Sequence, residues 1–269
     1  MSYTKEEIAR EAIGLREQMG LSMYEVVGDL INLVEESGHK IKYEDFGNSF
    51  TAALVYLGRG RFSINLNKPK IWNKKFERFT IAHELGHVSL FEHQEDVIKN
   101  GKRLELIDEF KSEETMEKEA DSFAINFLAP ESLFKKIAGG KFFNKYDIDQ
   151  LSRTLNISFQ SCVFRFLELT SKACSVVLVD NKDQKIIYDF RSKKMRRLNK
   201  HPSICGEQII PNSFLSRFTY KNRSIDQKER IIDLSEYYQD YKAGMTCKES
   251  LIKFNYNSTT MILISESES

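Results

Sequence analysis

The stretch RFTIAHELGHVSL, residues 78–90, constrains the fold of this chain more than any other. Ile81, Leu85 and Val88 make one apolar stripe at helical spacing, while Phe76, Phe79 and Leu90 fall on the other side. The helix they predict is therefore buried nearly all round. Two histidines, His83 and His87, lie on one face of that helix, with Glu84 turned about 100° from the first. A single histidine on an apolar face is usually a satisfied core residue. A pair at this spacing can instead present one nitrogen each to a single metal ion, with Glu84 holding a water rather than the metal. Gly86 weakens the helix by roughly 1 kcal/mol relative to alanine, which a close approach of backbone, substrate or sheet would explain.

Zinc needs a third protein ligand. Read at about 100° per residue, the acidic stretch SEETMEKEADSFAINFLAP puts Met116, Ala120, Phe123, Ala124, Phe127 and Leu128 on one apolar arc. Glu117 falls inside that arc; Glu119 and Lys118 fall outside it and read as a solvated face. A carboxylate facing a core is costly unless it is paired or binds a metal, so Glu117 is the expected third ligand. Glu113 shares the arc but reads as exposed or capping. Asp121, one turn after Glu117, is placed to accept the spare N–H of a metal-bound histidine and fix its tautomer. His93 is the rival ligand, and it reaches the site only if the helix ends and the chain doubles back.

The remaining sequence bounds what such a site can belong to. The chain has 269 residues, 41% of them apolar, enough for one large domain or two modest ones. Its 40 basic and 39 acidic residues leave a net charge of +1, which argues against a nucleic-acid coat or membrane adhesion. The opening MSYTKEEIAREAIGL lacks the apolar region of a secretory signal, and no apolar run is long enough to span a bilayer. Cys162, Cys174, Cys205 and Cys247 are widely spaced, without a C-x-x-C pair, so the expected setting is a reducing cytoplasm.

The pattern along the chain predicts an α+β fold. Two helices open it, the second marked by a capping box at Ser22 and Glu25 and a stop at Gly38. FTAALVYLGRGRFSINLN reads as a β-hairpin in a small sheet, whose strands 51–57 or 61–66 are candidate open edges for an extended substrate. Helices are expected over about 73–91 and 113–128, with a loop and a short strand or turn between them. Residues 145–169 read as a helix-turn-helix-like pair. Hairpins follow in ACSVVLVDNKDQKIIYDF and SLIKFNYNSTTMILIS, before a frayed SESES tail. The expected boundary lies near residue 171, separating a metal-binding domain (1–171) from a smaller strand-rich α+β domain (172–269). RSKKMRRLNK, residues 191–200, reads as a solvated linker in preference to a nucleic-acid contact. The helical pair likewise reads as packed rather than inserted in a DNA groove, since its second helix offers mainly Gln160 and Arg165 as readers.

The motifs RFTIAHELGH and EKEADSFAINFLAP, with INLN before them and IDQLSRTLNISFQSCVFRFLEL after, resemble the ImmA/IrrE-type metallopeptidases over about residues 40–170. The resemblance implies a compact zincin-like domain, zinc as cofactor and cytosolic proteolysis. Its implied substrate is a helix-turn-helix transcriptional repressor of a mobile element or stress-response locus. It carries over His83, Glu84, His87 and Glu117; Asp121 stands where many members have asparagine. The last hundred residues lie outside it. Some relatives end in a GAF-like sensor domain, for which the segment after residue 172 is short.

The chemistry expected of this set is hydrolysis of a peptide bond. Zinc lowers the pKa of bound water from 15.7 toward about 7, and Glu84 takes the proton and later returns it to the leaving amine. A second electrophilic group is wanted, and the sequence does not identify it. Two other readings stand beside this one: a non-catalytic zinc-containing regulator that binds DNA or a repressor, and a general peptidase of short peptides.

Overall fold

The structure, a computed structural model, describes residues 2–47, 50–71, 73–105, 115–198, 202–209, 215, 218, 227–238, 245–254 and 259–266. It is α+β. The chain gathers into two compact units, Met1–Gly139 with Ser152–Ser158, and Gly140–Leu151 with Phe159–Ser269.

In the first unit, helix α1 (Lys5–Gln18) opens with a capping box between Thr4 and Glu7. Its buried Arg16 donates to the carbonyls of Phe127 at 2.6 Å and of Ser22 and Glu25 at 2.5 Å. Half of the capping box expected at Ser22 forms, with Ser22 N donating to Glu25 Oε2 at 3.4 Å, but the helix expected to follow it does not. The two carbonyls that Arg16 holds lie in a turn in which Glu25 N donates to Ser22 O at 3.2 Å. Helix α2 (Leu30–Glu36) begins later, capped by Asp29, and the expected glycine stop follows at Gly38, with φ 91°.

Strands β1 (Lys40–Glu44), β2 (Ala52–Gly58), β3 (Arg61–Asn67) and β4 (Lys102–Glu105) form one sheet in the order β1-β3-β2-β4. The β2–β3 hairpin turns on Arg59 and Gly60, both with positive φ (57° and 69°), the primed-turn geometry that matches strand twist. β3 pairs in parallel with β1 and antiparallel with β2, which also pairs with β4. The expectation of an open edge on β2 or β3 is thereby corrected: among the described strands the open edges are β1 and β4. At the end of INLN, buried Asn67 pins the preceding loop. Its Oδ1 accepts from Phe46 N at 2.9 Å, and its Nδ2 donates to Gly47 O at 3.0 Å and Phe50 O at 2.5 Å.

Helix α3 (Lys74–Ser89) is capped by Asn73, whose Oδ1 accepts from the N–H groups of Lys75 and Phe76, each at 2.9 Å. Every residue from Glu77 to Val88 is buried, as the apolar pattern predicts. Arg78 fastens the helix to the loops beside it, donating to Val27 O and Gly28 O, each at 2.7 Å. The loop expected after α3 is corrected, because helix α4 (Phe91–Asn100) follows through the single residue Leu90. The sequence does signal its end: Gly101, at φ 76°, is the left-handed cap after Asn100. Helix α5 (Thr115–Leu128) packs against α1 and α3, and helix α6 (Glu131–Ala138) starts after Pro130. Part of the expected loop (106–110) and the first residues of the expected acidic helix, Glu113 among them, lie outside the described residues.

Helices α7 (Lys145–Leu155) and α8 (Phe159–Leu169) form where the helical pair was expected, and α7 is divided between the two units. Arg165, a candidate base reader, is buried and pairs with Glu168 at 2.8 Å. The second unit is built on an antiparallel sheet of β5 (Cys174–Asp180), β6 (Lys185–Arg191), β7 (Gln227–Asp233), β8 (Thr246–Phe254) and β9 (Thr259–Glu266), in the order β6-β5-β9-β8-β7. Both expected hairpins are present, β5–β6 directly and β8–β9 across residues 255–258. The core includes Val177, Val179, Leu251, Ile262 and Ile264.

The linker expected at 191–200 is corrected in its described part, although Lys193, Lys194, Arg196 and Arg197 are exposed as the solvated reading has it. It forms helix α9 (Lys193–Leu198), which is seated by buried Met195 and capped where Met195 N donates to Ser192 Oγ at 3.2 Å. Several of its charges are engaged: Arg191 with Asp189 at 2.5 Å, Lys194 with Glu266 at 2.8 Å, and Arg196 over the ring of Phe190. Residues 199–200, and 267–269 of the expected frayed tail, lie outside the described residues.

Candidate metal centre

Helical period alone brings His83 and His87 together on α3, their Nε2 atoms 3.1 Å apart. Helix α5 crosses close to them at Gly86, where an added Cβ would stand 3.1 Å from both Ala120 Cα and Phe123 Cβ. The glycine is thus a helix–helix contact, and it lets α5 bring Glu117 to the histidines. Glu117 Oε2 is 3.1 Å from His83 Nε2, and its Oε1 is 3.6 Å from His87 Nε2.

Two observations test whether a metal fits here. Ligand atoms held about 2.0–2.1 Å from a tetrahedral zinc stand roughly 3.3 Å apart, which the distances of 3.1, 3.1 and 3.6 Å bracket. The donor chemistry agrees. His83 Nδ1 faces Asp121 Oδ1 at 2.9 Å, so its hydrogen is committed outward and its Nε2 lone pair faces inward toward the Glu117 carboxylate. Acceptors that converge in a buried place need a cation between them. Among the described residues, His83, His87 and Glu117 are the group with metal-ligand spacing.

Glu84 sits beside His83 on α3, 1% exposed. His93, weighed as a rival ligand, occupies a different place. The chain turns at Leu90, with ψ 119°, and α4 doubles back. Leu90 N still donates to Gly86 O at 2.9 Å, and Gln94 Nε2 satisfies Val88 O at 2.7 Å. His93 Nδ1 thereby meets His87 Nδ1 at 3.0 Å, on the side away from Glu117, and His93 Nε2 meets Glu119 Oε2 at 2.9 Å. The solvated reading of Glu119 is corrected: it is 6% exposed, and its Oε1 accepts from Tyr3 N at 2.8 Å and Ser2 Oγ at 2.9 Å. Sequence reasoning missed this pair because the apolar arc of α5 describes one face of the helix, whereas Glu119 is covered from another by the segment before α1.

No curated protein matches the chain. Its fold is similar to that of a Mycobacterium tuberculosis transcriptional regulator, with a TM-score of 0.60 and 14% sequence identity over 96% of this chain and 76% of that one. Residues 34–167, the span that holds both histidines and Glu117, match the peptidase M78 family, described as the IrrE N-terminal-like domain, and over that span the chain belongs to this family.

Proposed function

We propose that this chain is a cytosolic zinc endopeptidase that cleaves a helix-turn-helix transcriptional repressor and so relieves repression. The observation that carries the reading is the convergence of buried His83 and His87 and half-buried Glu117 on one point, with Glu84 adjacent on the same helix. Both histidines would hold zinc through Nε2, and Glu117 through its carboxylate. When bound, zinc supplies a Lewis acid that brings the pKa of water down to about 7. Glu84 accepts a proton from the attacking water and delivers it to the leaving nitrogen. Asp121 keeps His83 in the tautomer whose Nε2 faces inward. An extended substrate segment would add to an open edge, β1 or β4, through backbone hydrogen bonds. Residues 172–269 serve recognition of the partner or sensing of a signal.

A second reading, a zinc-containing regulator that binds without cutting, draws support from the likeness in fold to a protein named as a transcriptional regulator. Glu84→Gln separates the two, since a purely structural site has no use for a base there. The zinc-loaded chain is incubated with a helix-turn-helix repressor encoded beside it, and metal analysis verifies equal zinc in the wild type and Glu84→Gln. Cleavage by the wild type, reduced at least 100-fold in the variant, is the expected result. Equal zinc with no cleavage of the repressor or of a mixed peptide library overturns the peptidase reading in favour of the regulator.

A further inference from the structure

Behind His87, on the side away from Glu117, two buried side chains stand in line. The contacts run from Glu119 Oε2 to His93 Nε2 at 2.9 Å, and from His93 Nδ1 to His87 Nδ1 at 3.0 Å. His93 and His87 are each 1% exposed. Hydrogen placement in this row follows from its carboxylate end. Glu119 only accepts, and its other oxygen already takes Tyr3 N–H and Ser2 Oγ. A neutral His93 therefore donates from Nε2, which leaves a lone pair on its Nδ1. His87 must then donate from Nδ1, and its Nε2 presents a lone pair toward Glu117 and His83.

We infer that His93 and Glu119 are positioning residues for His87, a relay that fixes its tautomer and ring orientation so that Nε2 is available to the metal. The inference rests on the metal-centre reading above. The two histidines are then supported unequally. His83 leans on the carboxylate of Asp121 directly, whereas His87 leans on a carboxylate through an intervening imidazole. The turn at Leu90 gains a purpose in this arrangement, because it delivers His93 to the outward face of His87. A packing role alone would require only that His93 fill space, which phenylalanine does as well.

Zinc affinity of the full chain, measured by competition with a chelator of known strength, tests the relay in the wild type, His93→Phe and Glu119→Gln. Replacing groups that orient a ligand histidine weakens metal binding about 10- to 100-fold, and a loss of that size is expected in both variants. A second readout is free of folding effects: two-bond ¹H–¹⁵N spectra of the zinc-loaded wild type should show His87 with hydrogen on Nδ1. Zinc binding as tight in His93→Phe as in the wild type would overturn the relay and leave the metal centre standing. So would a spectrum showing His87 bound through Nδ1, a test that holds even if His93→Phe fails to fold. Absence of zinc binding by the wild type would remove the metal centre itself, and the relay with it.

Discussion

Buried polar side chains fix several turns of this chain. Arg16 donates from its two terminal nitrogens to three carbonyls, two of them in the turn at Ser22–Glu25, while its Nε has no hydrogen-bond partner among the described residues. Asn67 likewise holds the loop before β2. Burial instead decides the chemistry of the cysteines. Burial pushes the Cys174 thiol up to about 12 and the Cys247 thiol up to about 11, and Cys162 is also buried, whereas Cys205 is exposed. Because the thiolate is the reactive form, iodoacetamide at pH 8 should add one label to the native chain, at Cys205, and four after unfolding in guanidinium. Intact-mass spectrometry counts them; a second label gained before unfolding would contradict the buried positions.

Between elements, the decisive contact is the crossing of α3 and α5 at Gly86. Alanine there would gain roughly 1 kcal/mol of helix propensity, but overpacking a tight core contact costs roughly 1–3 kcal/mol. The second effect wins because the new methyl meets backbone: Ala120 Cα lies 3.1 Å away and cannot rotate aside. Gly86→Ala should therefore lower stability by about 1 kcal/mol. It should also weaken zinc binding, because α5 shifts and carries Glu117 with it. Denaturant titration and chelator competition read the two effects separately, and an unchanged zinc affinity would show that the crossing does not set the ligand distances. The turn at Leu90 is a second such device. It was hidden in the sequence because no proline or glycine marks it; α4 is recognisable mainly from Gly101 at its end.

Across the whole molecule, all three candidate ligands belong to the first compact unit. A ligand that binds only the folded form stabilises it by about 2.7 kcal/mol at one hundred times its Kd. For a unit near 150 residues this corresponds to a rise of roughly 5–10 °C in unfolding temperature. Calorimetry of the full chain should show that rise on adding zinc. Glu117→Gln should abolish it. A zinc-induced rise that survives in the variant would place the metal elsewhere. Among the described residues, no helix is long and apolar enough to cross a membrane.

The parts of this protein that could be read along the chain are those in which one element's own period does the positioning. A repeat of 3.6 residues sets His87 beside His83 and puts Glu117 on the apolar arc of its helix, and the β-hairpins announce themselves by their strand-forming runs. The rest depended on which segments came to lie against one another after folding. Glu119 looked solvated until the residues before α1 covered it, and β2 looked like an edge until β4 paired with it. His93 looked remote until a turn without a sequence marker brought it back to His87. Local periodicity carries information about one face of one helix or strand; what covers the opposite face is set by contacts distant in sequence, and those exist only in the folded chain.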